Sequence, residues 1–180
     1  LANVKSIQEA IKVLNFRKID KFYLSGGWNN LPDNISLLRA NRIKAVLDLQ
    51  FTPDGGIYEN YSAAIAAIKA KLAEDNIEYR AIRMRDDEFN ADFDGVLSEG
   101  TEFLTEMEEK YPEKRDGILV KCGAGISRSS TMLINHLCIT RRMSYLEALA
   151  YLRKREEDQA IQFGSSPNQF FAEKLKKRFK

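Results

Sequence analysis

Only two of the 180 residues are cysteine, one is histidine, four are proline and four are methionine. Two cysteines, Cys122 and Cys138, cannot build the disulfide framework of a small secreted domain, so reduced thiols are expected. One histidine beside two cysteines offers no zinc-ligand spacing, and neither a metal nor any other cofactor is expected. Long apolar runs are missing as well. Nothing approaches the ~20 apolar residues that span a bilayer, and the most apolar helical stretch, Ala63–Leu72, is interrupted by Lys69 and Lys71. Charge of one sign is also lacking: 28 Lys and Arg stand against 26 Asp and Glu, a net charge of +2. That balance excludes the strongly basic face of a general nucleic-acid binder. The chain begins Leu-Ala-Asn with no basic-then-apolar leader, so no targeting segment is expected and the reduced thiols suit a cytoplasmic location.

What is present fits a soluble α/β domain. Hydrophobic residues make up 44% and charged residues 30% of a chain the size of one ordinary domain. Val4, Ile7, Ile11 and Leu14 recur at helical spacing. Phe22–Leu24 reads as a short strand stopped by Ser25-Gly26-Gly27, and a helix is expected after Asp33 or Asn34. Ala45–Leu49 reads as a buried strand, and Thr52–Gly56 as a loop by its turn residues. A helix over Tyr58–Glu74 and a strand over Glu78–Met84 follow. The acidic loop 85–90 then leads into a helix over Asp92–Lys110. Strand Ile118–Val120 precedes a helix from Ser129 to about Arg142. Ser144 with Glu147 predicts a capping box for a helix reaching Lys154, and a last helix is expected after Pro167. Alternating strands and helices predict a mostly parallel central sheet flanked by helices.

The chemistry concentrates in Lys121-Cys122-Gly123-Ala124-Gly125-Ile126-Ser127-Arg128-Ser129, which lies between a strand and a helix. A loop of small residues at a helix N-terminus turns backbone N–H groups toward one point, where the helix dipole adds positive charge. A tetrahedral dianion suits that point, and Arg128 adds a planar two-pronged donor. A free thiol of pKa ~8.5 is only about 3% ionised at pH 7, but helix N-termini and basic neighbours lower cysteine values to ~3.5–7.5. One field therefore serves both the Cys122 thiolate and a bound phosphate. Ser129 is placed to donate a hydrogen bond to a departing thiolate. A leaving oxygen needs a proton donor, and Asp86, 36 residues before Cys122, lies in a loop able to overhang the cradle. Adjacent Asp87 is its competitor for that role.

This arrangement resembles the dual-specificity branch of the cysteine-dependent protein tyrosine phosphatases, whose signature is His-Cys-x-x-Gly-x-x-Arg-Ser/Thr. Four further stretches are similar to that family: Phe22-Tyr23-Leu24-Ser25-Gly26, Arg42–Leu49, Arg141–Ala148 and Ser166-Pro167-Asn168-Gln169-Phe170-Phe171. The resemblance spans roughly Lys21 to the C-terminus. It implies a protein tyrosine phosphatase-like fold over residues 1–180 as a single catalytic domain, with residues 1–20 a helical extension. It implies Cys122 as nucleophile, Arg128 as phosphate clamp and Asp86 as general acid, with Gly123, Ala124, Gly125, Ile126, Ser127, Arg128 and Ser129 binding phosphate. Asp86 falls four residues after Ile82, as in the family's Ile-x-x-x-Asp pattern.

The implied activity is hydrolysis of protein phosphotyrosine and phosphoserine or phosphothreonine through a phosphocysteine intermediate, with a phosphoprotein as partner. Phosphatases of phosphoinositides, RNA 5′-ends or phosphoglycans remain alternatives, as does a phosphate-binding module with weak catalysis. A rhodanese-type sulfurtransferase ranks last, having no use for an acid loop. One departure stands out: Lys121 occupies the family's His position, offering charge but neither ring nor acceptor. Gly123, Ala124 and Ile126 bring no lysine into the loop, which favours phosphoproteins over highly charged inositols.

Bland readings suffice elsewhere. Cys138, on an apolar face with Leu133, Ile134 and Leu137, reads as a packed thiol, and His136 as a core or helix-surface residue. The run Lys174–Lys180 reads as a solvated helix end whose cations suit the dipole. Asn34-Ile35-Ser36 and Asn60-Tyr61-Ser62 match the glycosylation triplet by chance. Trp28 is left between a pocket rim and a core cap.

Overall fold

The computed structural model describes residues 4–27, 35–49 and 61–180. The Thr52–Gly56 loop, Trp28, Asn34 and Asn60 lie outside the described residues. Five strands, β1 Arg17–Ile19, β2 Phe22–Ser25, β3 Ile43–Asp48, β4 Glu78–Ala81 and β5 Gly117–Lys121, form one sheet in the order β1-β2-β5-β3-β4. Strand β5 lies between two parallel neighbours, with Leu24 and Leu47 both in register with Val120. Strand β4 pairs parallel with β3, and among the described residues only the edge strand β1 runs antiparallel. The expected mostly parallel sheet is what the chain forms.

The helices are α1 Val4–Val13, α2 Ile35–Ala40, α3 Tyr61–Ala73, α4 Phe93–Lys110, α5 Arg128–Arg141, α6 Tyr145–Glu156 and α7 Gln169–Arg178. Successive strand residues point to opposite sheet faces, and this alternation divides the core in two. Ile118, Val120 and Cys122 face a layer built on Leu97, Leu104, Met132, Leu133, Leu152 and Phe171. Leu119 faces the other layer, with Leu37, Leu38, Val46, Leu72 and Tyr79. A sheet covered on both faces explains why β5 is apolar almost throughout and wholly buried. Each fully buried Leu or Val contributes about 1.5–3 kcal/mol.

Local signals set the helix boundaries. Asp92 caps α4 by accepting from Gly95 N at 2.9 Å. Ser144 and Glu147 form the expected capping box at α6, at 3.2 and 2.8 Å. Asn168 caps α7 by accepting from Phe171 N at 2.9 Å. Helix α6 runs two residues past the expected Lys154, and α5 begins at Arg128 itself. Strand β4 stops at Ala81 rather than Met84; the chain then follows Asp48 O through Ile82 N at 2.9 Å and keeps Met84 fully buried without pairing. Strand β1 was not anticipated. Its three residues carry too little alternation to register, and Asp20, in a left-handed conformation at φ 56°, turns it into β2.

No helix among the described residues is long and apolar enough to cross a membrane.

Candidate active site

The parallel strands β2, β5 and β3 all end at one edge of the sheet, the edge where open α/β folds place their ligands. There β5 passes into the loop Cys122–Ser127, and α5 follows from Arg128. Cys122 N donates to Ser25 O at 3.1 Å, seating the residue against the end of β2. Its sulfur is at the floor of the loop, the residue 2% exposed, and lies 3.4 Å from Ser129 Oγ in the first turn of α5.

The loop carbonyls are engaged behind the loop. Gly123 O accepts from Gly27 N at 2.8 Å, and Gly125 O from Arg17 Nη1 at 2.7 Å. Ile126 O accepts from Ser166 N at 3.0 Å and from Ser130 Oγ at 2.6 Å. Every peptide bond is trans among the described residues, so the N–H of the next residue points the opposite way in each case. The amides of Ala124, Ile126 and Ser127 are thereby turned toward the concave side. Gly125, at φ 72°, has no room for a side chain: a Cβ would stand 2.4 Å from Gly26 N. Gly26 is equally confined, since its Cβ would meet the Ala124 carbonyl carbon at 2.6 Å. Arg128 reaches from α5 across the strand ends, where Nη1 donates to Leu49 O at 3.2 Å and Met84 O at 3.1 Å.

The acidic loop comes down on this cradle through one of its two aspartates. Asp86 Oδ1 accepts from Ser127 Oγ at 2.6 Å and from Asn168 Nδ2 at 2.9 Å. Asp87 turns elsewhere, pairing with Arg85 Nη2 at 2.7 Å and accepting from Phe89 N at 2.9 Å. The hydrogen bonds from Arg85 hold the Asp87 carboxyl below the usual carboxylate range. Asn90 staples the loop by accepting from Arg85 N at 2.9 Å and donating to Arg85 O at 3.0 Å. Asp86 therefore contacts the Cys122–Ser127 loop directly, whereas Asp87 pairs with Arg85.

Residues 27–177 match the model of the dual specificity phosphatase catalytic domain. The chain belongs to the dual-specificity phosphatase family. It is 31% identical over 99 residues to the dual specificity protein phosphatase PHS1 of Arabidopsis thaliana, a match covering 54% of this chain and 9% of that protein's length. Its fold is similar to that of the Cydia pomonella PTP-2 phosphatase, with a TM-score of 0.64 at 21% identity, covering 90% of this chain and 88% of the other. It is likewise similar to the human tyrosine phosphatase-like serine/threonine/tyrosine-interacting protein, with a TM-score of 0.63 at 19% identity over 91% and 94% of the two chains.

The family's His position, Lys121, now has a structural context. Strand alternation sends its side chain to the sheet face opposite Cys122. There Nζ lies 3.3 Å from Asp48 Oδ1, and Tyr79 OH donates to Asp48 Oδ2 at 2.7 Å. Both members of this ion pair are almost wholly buried. The lysine thus belongs to a polar group under the loop, beside the backbone bond from Leu49 N to Lys121 O at 2.8 Å.

His136 lies apart from the loop. It is fully buried, with Nε2 2.8 Å from Glu108 Oε2 and its ring edge-on to Phe22. Cys138 is a buried free thiol, its pKa pushed up to about 11 by burial. The sequence did not reveal the contacts that Asn168, Asp48, Tyr79 and Arg17 make at or beneath the loop. Asn168 stood within a quoted Ser-Pro-Asn stretch. The others are separated from the loop by tens of residues and carry no local signal.

Proposed function

We propose that this phosphatase-family chain hydrolyses phosphomonoesters on protein tyrosine and on serine or threonine through a phosphocysteine intermediate. The reading rests chiefly on one observation: the Cys122 sulfur lies at the floor of a loop whose carbonyls are bonded outward, with Arg128 and Asp86 at its margins. Inward amides and a guanidinium stabilise charge that accumulates on phosphoryl oxygens.

In the first step Cys122 Sγ attacks phosphorus as a thiolate. An S–P bond forms as the ester P–O bond breaks, and Asp86 gives its proton to the leaving alkoxide or phenoxide. In the second, the Asp86 carboxylate takes a proton from water as the water oxygen attacks phosphorus. The S–P electron pair returns to sulfur, where the Ser129 hydroxyl, 3.4 Å away, donates to it. Inorganic phosphate and the alcohol are the products. The loop presents Gly123, Ala124 and Ile126 without an added cation, which favours phosphoprotein over polyphosphorylated inositol.

Turnover of an aryl phosphate by the wild type, Cys122→Ser and Asp86→Asn tests the mechanism. The reading requires loss of activity in Cys122→Ser and a large fall in Asp86→Asn; equal rates for all three contradict it. A panel of phosphotyrosine, phosphoserine and phosphoinositide substrates then tests the substrate class.

A further inference from the structure

Arg17 stands ahead of the residues that match the family model, yet its guanidinium reaches the phosphate loop. The side chain is completely buried, an expensive place for a charge that lacks partners. Each of its nitrogens is engaged. Nε pairs with Glu156 Oε2 at 2.9 Å, Nη2 donates to Ser165 Oγ at 3.0 Å, and Nη1 donates to Asn15 O at 3.1 Å and Gly125 O at 2.7 Å. Glu156 Oε2 also accepts from Ser165 N at 2.8 Å, so the carboxylate is fixed from two sides. Asn15 closes the assembly: its Nδ2 donates to Phe163 O at 2.9 Å, and its Oδ1 accepts from Phe163 N at 3.1 Å. The clamp therefore joins β1, the end of α6 and the α6–α7 connection to one peptide group of the loop.

That peptide is Gly125–Ile126, entered from a left-handed glycine. Such a glycine is conformationally permissive, so the peptide plane needs an external constraint to hold one orientation. A carbonyl held outward on a guanidinium sends the Ile126 N–H inward, to the side where a phosphoryl oxygen would sit. The same arginine is also a buried positive charge. Burial draws its pKa down and the Glu156 charge opposes that fall, so the cation is kept 2.7 Å from a carbonyl of the loop.

We propose that Arg17, anchored by Glu156, is a positioning residue of the phosphate loop: it fixes the Gly125–Ile126 peptide in its anion-binding orientation and places a permanent cation against the outer side of that loop. This rests on the phosphocysteine reading. A merely structural role, tying the N-terminal hairpin to the core, makes a different prediction: lowered stability with an intact anion site.

The test uses Arg17→Lys, which keeps the charge beside Glu156 without the planar fork, and Arg17→Met with Glu156→Gln, which removes both charges together. Vanadate affinity, kcat and KM on an aryl phosphate, and the pH dependence of Cys122 alkylation are read on protein whose folding is checked by circular dichroism. Vanadate affinity and kcat/KM are expected to fall about 10- to 100-fold in the double variant, short of the ~10²–10³ in kcat that follows loss of a direct oxyanion donor. Half-maximal alkylation is expected to move to higher pH in the double variant. Arg17→Lys is expected to keep that alkylation profile nearer the wild type while still losing vanadate affinity. Should the double variant not fold, Arg17→Lys alone decides the question. Wild-type affinity and alkylation in either folded variant overturn the proposal. Failure of vanadate to protect Cys122 in the wild type instead contradicts the phosphatase reading itself.

Discussion

The Ser127 hydroxyl donates a 2.6 Å hydrogen bond to Asp86 Oδ1, joining the loop that follows Cys122 directly to the acidic loop 85–90. Ser127 also occupies the N-cap position of α5, where its side chain makes no capping bond. A cap of this kind typically contributes about 1 kcal/mol, so the hydroxyl is committed to the site instead of the helix. Asn168 completes the arrangement. Its backbone N–H donates to Ser127 Oγ at 3.0 Å, its amide donates to Asp86, and its side-chain oxygen caps α7.

This joint sets the first prediction. Ser127→Ala and Asn168→Ala should lower kcat about tenfold or more, since misplacing a catalytic group by ~1 Å costs up to ~10²-fold. In kcat/KM, which reports transfer of the phosphoryl group to sulfur and not the shared hydrolysis step, the loss should be large for an alkyl or unsubstituted phenyl phosphate and small for an activated aryl phosphate, whose leaving group needs no proton. Comparing the two substrates in each variant is the measurement; equal losses on both contradict a role in placing the acid.

The two aspartates should separate cleanly. Asp86→Asn should reduce kcat by ~10²–10⁴, the usual contribution of a general acid. Asp87→Asn should change it only severalfold, because that carboxylate faces Arg85 and is held ionised by it. Steady-state rates of both variants on one unactivated substrate decide the assignment.

Beneath the loop, the Lys121–Asp48 pair predicts a stability effect distinct from catalysis. Lys121→Met should cost roughly 3–5 kcal/mol, the range for breaking a buried pair on one side. Combining it with Asp48→Leu and Tyr79→Phe should restore much of that loss, because the pair is then removed on both sides. Denaturant midpoints of the single and combined variants provide the check.

Cys138 gives a pH prediction. Burial chiefly, and the Glu147 charge secondarily, raise its pKa to about 11, so the folded state favours the protonated thiol. Near neutral pH iodoacetate should label Cys122 and spare Cys138 until the protein is unfolded. The unfolded chain releases this proton at its lower, ordinary cysteine value, while the folded chain keeps it to about pH 11. Over that window the unfolded state binds fewer protons, so stability should fall as pH rises. Cys138→Ala should flatten this alkaline decline in a series of denaturant melts.

Periodicity alone was sufficient for β3, β5, α4 and the capped start of α6, because each carries its own pattern of apolar residues or a local capping pair. The Cys122–Ser129 loop was legible for the same reason: glycines, nucleophile and arginine are contiguous. Asp86 against Asp87 was not decidable from neighbours, since the choice depends on Ser127 and Asn168, 41 and 82 residues away. Strand β1 escaped notice because Arg17 and Lys18 look solvent-exposed in sequence. Glu156, 139 positions along the chain from Arg17, is what makes burial of that arginine tolerable. The position of Lys121 likewise depended on Asp48, a partner on another strand.

The central claim is that the Cys122 sulfur receives the phosphoryl group. Asp86→Asn mixed with an activated aryl phosphate should load rapidly and hydrolyse slowly, since the group that activates water is missing. Acid quenching followed by peptide mass analysis should find one phosphoryl group on the peptide containing Cys122, and none in Cys122→Ser. Phosphate release with no adduct on that peptide, or an adduct on another residue, contradicts the account.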